Sequence, residues 1–322
     1  MTIKVGVIGL GFMGSAHARI YSKLKDCKLV GICDSDKEKK HLAEVYNCKF
    51  FTDSEEFLKQ DMDAVSVCTP TSLHRDVVIA AIECGKQVLV EKPYSDSFID
   101  GKEMAKKAVK LDRLLAVGYI ERFNSAVTKL KEVLDCSQIF STVSMRFGPF
   151  PPRTKYSGVF LDLACHEIDI LNYLTQADPE VLYTHFSSKF DNNFEDYAYI
   201  SLKYGHIHSH IEVSWIPNYK LRLINIYGND KFYGLNYAQQ KLKTYRAPPK
   251  AQIEHGSWND ILWLSRHVEE EIPVSASEPL AAELKCFIDS VQKNEIIEPL
   301  CTPDEALKVL KVTDSALNKL NK

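Results

Sequence analysis

The chain has 322 residues, of which 45% are hydrophobic and 26% are charged, and its formal net charge is −3 at pH 7. This is the composition of a soluble globular protein with two domains of ordinary size. The weak charge and the lack of a long basic run give no support to a nucleic-acid or anionic-membrane partner, and no apolar stretch approaches the length of a membrane span.

The first residues form a core strand, so we expect no cleaved signal peptide. The nine cysteines contain no C-x-x-C pair and are scattered along the chain. This pattern is typical of reduced cysteines that are buried like small hydrophobic residues in a reducing compartment. We therefore expect a cytoplasmic protein.

The apolar run Ile3–Ile8 predicts a buried parallel strand, and it is followed by glycines in the spacing G-x-G-x-x-G and then by a helical pattern. In such a loop the glycines permit a tight turn, a close approach of pyrophosphate to the backbone and close packing of helix on strand. The helix N-terminus offers free N–H groups to the phosphates. The predicted loop residues are Gly9, Gly11, Phe12, Met13 and Gly14.

Asp34 ends the second predicted strand, 20 residues after Gly14, where an acidic residue would bind the adenosine ribose hydroxyls. The alternative is an ordinary glycine turn in which Asp34 caps a helix. Strand, loop, helix and acid all agree with dinucleotide binding. Because a carboxylate repels a 2′-phosphate, we predict NAD rather than NADP.

Strands and helices alternate as far as residue 120, which predicts a doubly wound parallel sheet, a Rossmann domain, over residues 1–120. Ligands of such sheets bind at the carboxyl ends of the strands, and two of these ends carry Thr69-Pro70-Thr71 and Glu91-Lys92-Pro93. We therefore expect both segments to contact the dinucleotide.

Residues 121–322 show a different pattern, in which strands follow one another almost without helices. This predicts a C-terminal α+β domain with an antiparallel or mixed sheet and helices on one face. Two helices are predicted near the end, and the second is opened by Thr302 as N-cap with Pro303 at its first position.

Lys92 is the first candidate for chemistry. Pro93 restrains the backbone beside it, and an ammonium at this strand end could stabilise an alkoxide as hydride moves. The alternative is a surface lysine paired with Glu91.

A mostly apolar helical segment, 158–171, carries Asp162 and His166 four residues apart and therefore on one face. Such groups are costly on an apolar helix unless they face a cavity or a partner. A histidine is suited to taking a hydroxyl proton, and a carboxylate one turn away could orient it. The alternative is an internal Asp–His pair that holds the core together.

His206, His208 and His210 alternate on one predicted strand and could bind zinc, but no carboxylate or cysteine completes a ligand set. We expect these three histidines to bind no metal and to face either solvent or a subunit contact.

Five motifs in order resemble those of the Gfo/Idh/MocA oxidoreductases: Gly9–Gly14, the segment from Cys68 to His74, Glu91-Lys92-Pro93, Gly118–Asn124 and Asp162-x-x-x-His166. The resemblance implies that Lys92, Asp162 and His166 form the catalytic group. It also implies an open, largely antiparallel second sheet that makes the subunit interface of a homodimer or homotetramer. It adds His74 to the cofactor-binding set, which already includes Glu91 and Lys92.

The segment from Arg146 to Leu163 resembles the subgroup of UDP-N-acetylglucosamine 3-dehydrogenases, which oxidise the sugar C3 hydroxyl to a ketone that a separate aminotransferase converts to an amine. A nucleotide sugar carries a diphosphate, and arginine binds two of its oxygens at once. Intramolecular ion pairs are the alternative for each arginine. The expected substrate-binding residues, beside Lys92, Asp162 and His166, are Arg122, Asn124, Arg146 and Arg153.

The residues predict an NAD-binding protein, and the resemblance implies an enzyme that oxidises a sugar hydroxyl, with UDP-N-acetylglucosamine as the first candidate substrate. An inositol or another sugar is the alternative within the family. A non-catalytic NAD-binding sensor is the alternative from another class, and the presence of Lys92, Asp162 and His166 favours the enzyme.

Overall fold

The computed structural model describes residues 2–151, 158–190, 194–246 and 268–320. The chain forms two compact units: Met1–Phe123 with Glu278–Asp314, and Asn124–Ser277 with Ser315–Lys322. The sequence pattern places everything beyond residue 120 in one second domain, whereas the structure returns the segment 278–314 to the first unit.

The elements are named here in chain order. The strands are β1 (Ile3–Ile8), β2 (Cys27–Cys33), β3 (Lys49–Phe51), β4 (Ala64–Val67), β5 (Gln87–Glu91), β6 (Leu115–Gly118), β7 (Ile139–Phe147), β8 (Glu180–Ser187), β9 (Tyr197–Tyr204), β10 (Ile207–Ser214), β11 (Leu221–Gly228), β12 (Phe232–Asn236), β13 (Lys241–Arg246) and β14 (Val268–Ile272). The helices are α1 (Phe12–Tyr21), α2 (His41–Tyr46), α3 (Ser54–Leu58), α4 (His74–Glu83), α5 (Phe98–Lys110), α6 (Ser125–Val133), α7 (Cys165–Thr175), α8 (Pro279–Lys293) and α9 (Pro303–Leu320).

The first unit contains a six-stranded sheet in the order β3-β2-β1-β4-β5-β6, in which every pair is parallel. Every residue of β4 and β5 is buried, as expected for central parallel strands that are covered on both faces. This confirms the predicted doubly wound sheet and places the carboxyl ends of β1, β2, β4 and β5 along one edge.

Helix α8 belongs to the first unit because its apolar side chains lie in the core of that unit. Leu284, Phe287 and Ile288 are fully buried in the same cluster as Val5 and Ile32 of the parallel sheet. The C-terminal segment therefore completes the first core.

The second unit contains an eight-stranded sheet in the order β14-β13-β12-β11-β7-β10-β9-β8. Only β7 and β10 pair in parallel among the described strands, and the other neighbours are antiparallel. Burial alternates along β7, since one face of the sheet is covered by helices. The predicted, largely antiparallel second sheet is confirmed.

Three local structures differ from the elements that the sequence pattern predicts. The polar residues 36–47 predict one helix, but they form a short 3₁₀ turn, Lys37–Lys40, followed by α2, and the carboxylate of Asp36 caps the turn by accepting the N–H of Glu38. The segment 158–171 is not one α-helix: a π turn, Phe160–Ala164, precedes α7. Strand β14 was not predicted. The sequence pattern also predicts a loop over 247–258, which lies outside the described residues.

Within the described part of the chain, no helix combines the length and the apolar character that crossing a membrane requires. All nine cysteines are free thiols.

Candidate active site

The glycine loop between β1 and α1 has the geometry of a phosphate site. Gly9 adopts φ +87°, which L side chains rarely occupy, and a Cβ at Gly14 would lie 1.7 Å from the carbonyl oxygen of Gly9. A Cβ at Gly11 would meet no heavy atom within 4 Å, so the backbone there faces open space. The free N–H groups at the start of α1 and this open backbone fit the pyrophosphate of a dinucleotide.

Asp34 follows β2 and lies beside this loop. Its Oδ2 accepts the N–H of Leu10 at 2.5 Å, and its Oδ1 accepts the N–H of Asp36 at 2.8 Å. These bonds orient the carboxylate, and each oxygen keeps a further lone pair that can accept from a ribose hydroxyl. The two acceptor oxygens therefore fit the hydroxyls of the adenosine ribose of NAD, and their negative charge disfavours a 2′-phosphate.

His74, the first residue of α4, ties together the loops that follow β4 and β5. Its Nε2 lies 2.9 Å from the carbonyl oxygen of Thr69, and its Nδ1 lies 3.0 Å from that of Pro93 and 3.3 Å from that of Tyr94. Burial lowers the pKa of His74 below its ordinary value, although the carbonyls and Glu91 act in the opposite direction. The ring is 1% exposed and contacts backbone carbonyls of both loops, so it helps to hold them together. Its contact with the cofactor stays a prediction.

Glu91 ends β5 directly before the half-buried Lys92. Its Oε1 lies 3.0 Å from Nε2 of His17, and its Oε2 accepts the backbone N–H of Lys92 at 3.2 Å. Both oxygens of the Glu91 carboxylate therefore contact the protein, and the residue is 6% exposed. Its contact with the cofactor stays a prediction.

Asp162 and His166 lie at the start of the helical segment of the second unit. Asp162 belongs to the π turn and is half-buried, and His166 is on the first turn of α7 and is 6% exposed. Wide π turns within helices are frequent at functional sites. The structure therefore places Asp162 in the irregular turn and His166 just after it, in the first turn of the regular helix.

Glu195 caps the beginning of this helical segment. Its carbonyl oxygen accepts the N–H of Val159 at 2.9 Å, and its Oε1 accepts the N–H of Phe160 at 3.0 Å. Burial raises the pKa of Glu195, although the backbone N–H groups of Glu195 itself and of Phe160 favour the carboxylate. A Cβ at Gly158 would lie 2.0–2.1 Å from the carboxylate atoms, so the cap requires glycine there.

Arg146 on β7 is 3% exposed and forms an intramolecular ion pair. Its Nη1 lies 3.5 Å from Oε1 of Glu167 and 3.3 Å from the hydroxyl of Tyr237, which also donates to Glu167. This is the alternative role that the sequence left open, and the contact of Arg146 with a substrate diphosphate stays a prediction.

Arg122 also has an internal partner: its Nη1 lies 2.9 Å from Oε1 of Glu305, and the residue is 1% exposed. Asn124 caps α6 by accepting the N–H of Ala126 at 3.2 Å, and its Nδ2 donates to the carbonyl oxygen of Tyr237 at 2.8 Å. Both residues thus have internal partners, and their contacts with a substrate stay a prediction. Arg153 lies outside the described residues.

The zinc alternative at the three alternating histidines gains no support, since Nδ1 of His210 lies 2.8 Å from the hydroxyl of Tyr199. A different group does approach metal-ligand spacing: ligand atoms of His17, Glu91 and Glu283 all lie within 4.8 Å of one another and are buried. The sequence did not single out His17 or Glu283. The position of His17 on the apolar face of α1 was the available signal, whereas Glu283 is brought in by a helix distant in the chain.

The order of the parallel strands, the glycine loop and the acid after β2 define a dinucleotide-binding protein. The chain belongs to the Gfo/Idh/MocA oxidoreductase family: residues 3–119 match the family's NAD-binding Rossmann domain, and residues 140–232 match its C-terminal domain. The family resemblance and the NAD cofactor are therefore confirmed.

Several relatives are dehydrogenases. UDP-N-acetylglucosamine 3-dehydrogenase of Acidithiobacillus ferrooxidans is 25% identical over 291 residues, which are 90% of this chain and 88% of the relative. Myo-inositol 2-dehydrogenase of Thermotoga maritima is 31% identical over 191 residues, 56% of this chain and 57% of the relative. The match with the inositol enzyme thus spans little more than half of each chain.

Solved structures show the same fold. That of the Acidithiobacillus ferrooxidans enzyme has a TM-score of 0.86 at 23% identity and covers 98% of this chain and 96% of that one. Levoglucosan dehydrogenase in complex with NADH has a TM-score of 0.84 at 18% identity, with 99% and 96% covered. At these identities the likeness concerns the fold alone.

Proposed function

We propose that the protein oxidises the C3 hydroxyl of UDP-N-acetylglucosamine to the 3-keto sugar, with NAD as hydride acceptor. The observation that carries this proposal is the extent of the similarity to an enzyme named for this activity. That similarity covers 90% of the chain. The match with the inositol enzyme covers 56% of the chain.

NAD, when bound, supplies the nicotinamide carbon that accepts the hydride from the sugar carbon. His166 accepts the hydroxyl proton and must therefore begin the reaction as a neutral imidazole. The Lys92 ammonium stabilises the negative charge that develops on the same oxygen. Asp162 orients His166 or the substrate. The hydride and the proton thus leave the hydroxyl-bearing carbon and its oxygen by separate routes.

We assign the phosphates of NAD to the loop Gly9–Gly14 and the start of α1, and the adenosine ribose to Asp34. The segment from Thr69 to Thr71 is assigned to the cofactor because it follows β4 at the same edge of the sheet.

An inositol dehydrogenase is the second candidate, favoured by the 31% identity to the Thermotoga maritima enzyme. Lys92, Asp162 and His166 would act on a ring hydroxyl of inositol in the same roles. The ion pairs of Arg122 and Arg146 also weaken the case for a diphosphate, because they leave Arg153 as the remaining arginine of the predicted set.

A substrate panel separates these candidates. The full-length protein is incubated with NAD and, in separate reactions, with UDP-N-acetylglucosamine, UDP-glucose, myo-inositol and free aldoses, while NADH absorbance is followed. We expect the highest kcat/KM with UDP-N-acetylglucosamine. A higher value with myo-inositol would establish the second candidate, and NAD binding without turnover of any compound would favour the sensor.

We also propose a cytoplasmic homodimer or homotetramer whose 3-keto product is taken up by an aminotransferase. The outer side chains of the second sheet support an interface, since Tyr183 is 56% exposed, Tyr227 38% and Phe232 41%. Sedimentation of the wild type and of Tyr227→Glu tests this, because a charge within the interface should lower the oligomeric state.

A further inference from the structure

Two buried side chains connect the phosphate-binding helix to the backbone of Lys92. His17 lies on α1, which begins at the glycine loop, and is 0% exposed. Its Nε2 lies 3.0 Å from Oε1 of Glu91, and Oε2 of Glu91 accepts the N–H of Lys92 at 3.2 Å. Because a carboxylate can only accept, Nε2 of His17 carries the proton and donates it.

The surroundings leave the Glu91 carboxylate little freedom. A Cβ at Gly118 of β6 would lie 3.3 Å from its Oε1, so the neighbouring strand forms a wall. Glu283 of α8 is 0% exposed, and its carboxylate lies within 4.8 Å of the ligand atoms of His17 and Glu91. Any shift of α1 is therefore transmitted to Glu91 by direct contact.

We propose that His17 and Glu91 are positioning residues for Lys92. The inference rests on the proposed catalytic role of Lys92 and goes beyond it, because it explains how the helix that receives the phosphates also sets the lysine in place. Misplacing a catalytic group by about 1 Å can cost on the order of a hundredfold in rate, so a weakened contact should reduce turnover without removing the cofactor site.

The test compares His17→Leu, which removes the donor at similar size, with His17→Gln, whose amide can still donate to Glu91. The exposed His41 on α2 provides the control His41→Gln. Three quantities are measured on the full chain: kcat, the Kd for NAD by calorimetry, and deuterium uptake of the peptide that contains the Lys92 amide.

For His17→Leu we expect kcat to fall by about ten- to a hundredfold while the Kd for NAD changes by less than about threefold. Deuterium uptake at the Lys92 amide should rise, since its acceptor is no longer fixed. His17→Gln should restore most of kcat and of the protection, and His41→Gln should match the wild type.

Unchanged kcat in His17→Leu would overturn the proposal. The proposal would also be overturned if kcat and NAD affinity fell by the same factor while deuterium uptake at the Lys92 amide did not change. That pattern is expected of a histidine that only stabilises the fold. If the wild type turns over no hydroxyl substrate, the proposed function fails, and the amide exchange alone then decides whether His17 holds the Lys92 segment.

Discussion

The Lys92 side chain follows the last residue of β5, and its proposed role can be separated from cofactor binding. Lys92→Ala should lower kcat by about a hundredfold or more, because its charge acts on an oxygen that becomes negative only during the reaction. The Kd for NAD, measured by calorimetry, should stay near the wild-type value. A variant that keeps turnover within a few-fold of the wild type would show that Lys92 is structural.

Asp34 sets the expected choice of cofactor. Wild-type kcat/KM should be higher with NAD than with NADP, since the carboxylate accepts from ribose hydroxyls and repels a phosphate. Asp34→Ser should lower the ratio of kcat/KM with NAD to kcat/KM with NADP, because the carboxylate that repels the 2′-phosphate is removed. Steady-state kinetics with both cofactors check the prediction, and an NADP efficiency that equals or exceeds that of NAD in the wild type would contradict it.

His74 gives a prediction about stability and pH. Burial lowers its pKa in the folded protein from the ordinary 6.5, so the unfolded chain binds the proton more readily. The stability that comes from the neutral ring is complete above that ordinary pKa and is lost as the pH falls from there through the lower, folded pKa. Thermal unfolding of His74→Gln should therefore depend less on pH in this window.

The exposed His41→Gln is the matched control for that series and should reproduce the wild-type dependence. Equal slopes of Tm against pH for His74→Gln and the wild type would show that His74 does not titrate in the way its burial requires.

At the residue level, local spacing in the sequence indicates candidate cofactor-binding residues, and their roles stay predictions. The glycine loop and Asp34 are recognised by their distance along the chain and by the strand and helix around them. The arginines are different, because Arg122 pairs with Glu305, 183 residues away, and Arg146 pairs with Glu167 from another element. No local pattern indicates such partners, so both arginines were assigned to the substrate.

At the scale of elements, the cap on the helical segment that carries Asp162 and His166 can be tested directly. Gly158→Ala would place a Cβ 2.0–2.1 Å from the Glu195 carboxylate, whereas a Cβ at Gly148 would meet no heavy atom within 4 Å. We expect Gly158→Ala to lose about 1–3 kcal/mol of stability, the usual cost of overpacking, and to lose turnover because the π turn is displaced. Gly148→Ala should change neither.

Thermal unfolding and kcat of the two alanine variants provide the comparison. If Gly158→Ala and Gly148→Ala have the same Tm and kcat, the capping contact with Glu195 does not hold this helix.

Elements with regular apolar periodicity were predicted closely, and those defined by their partners were not. Strand β14 contains three consecutive glutamates and lacks an apolar alternation. It pairs with β13 through an antiparallel backbone ladder, and two cross-strand ion pairs, Lys243 with Glu269 and Arg246 with Glu270, lie beside that ladder. The π turn was missed for a similar reason, since the apolar spacing of residues 158–171 also fits a continuous α-helix.

At the scale of the whole molecule, the strand and helix patterns predicted the two sheets and their types. The sequence could not show which of the two units contains the segment 278–314. The apolar stripe of α8 would suit the core of either unit, and only tertiary packing determines which core it joins. The capping of α9 was predictable from Thr302, whose Oγ1 accepts the N–H of Glu305 at 3.3 Å. The further bond of Glu305 to Arg122 again required the folded structure.

The central claim is that hydride leaves C3 of UDP-N-acetylglucosamine for NAD, and it can be measured with substrate that carries deuterium at C3. The account predicts slower turnover than with unlabelled substrate, NADH that contains the deuterium, and a 3-keto product by mass spectrometry. Turnover that yields NADH without deuterium would show that another carbon is oxidised and would contradict the proposed reaction.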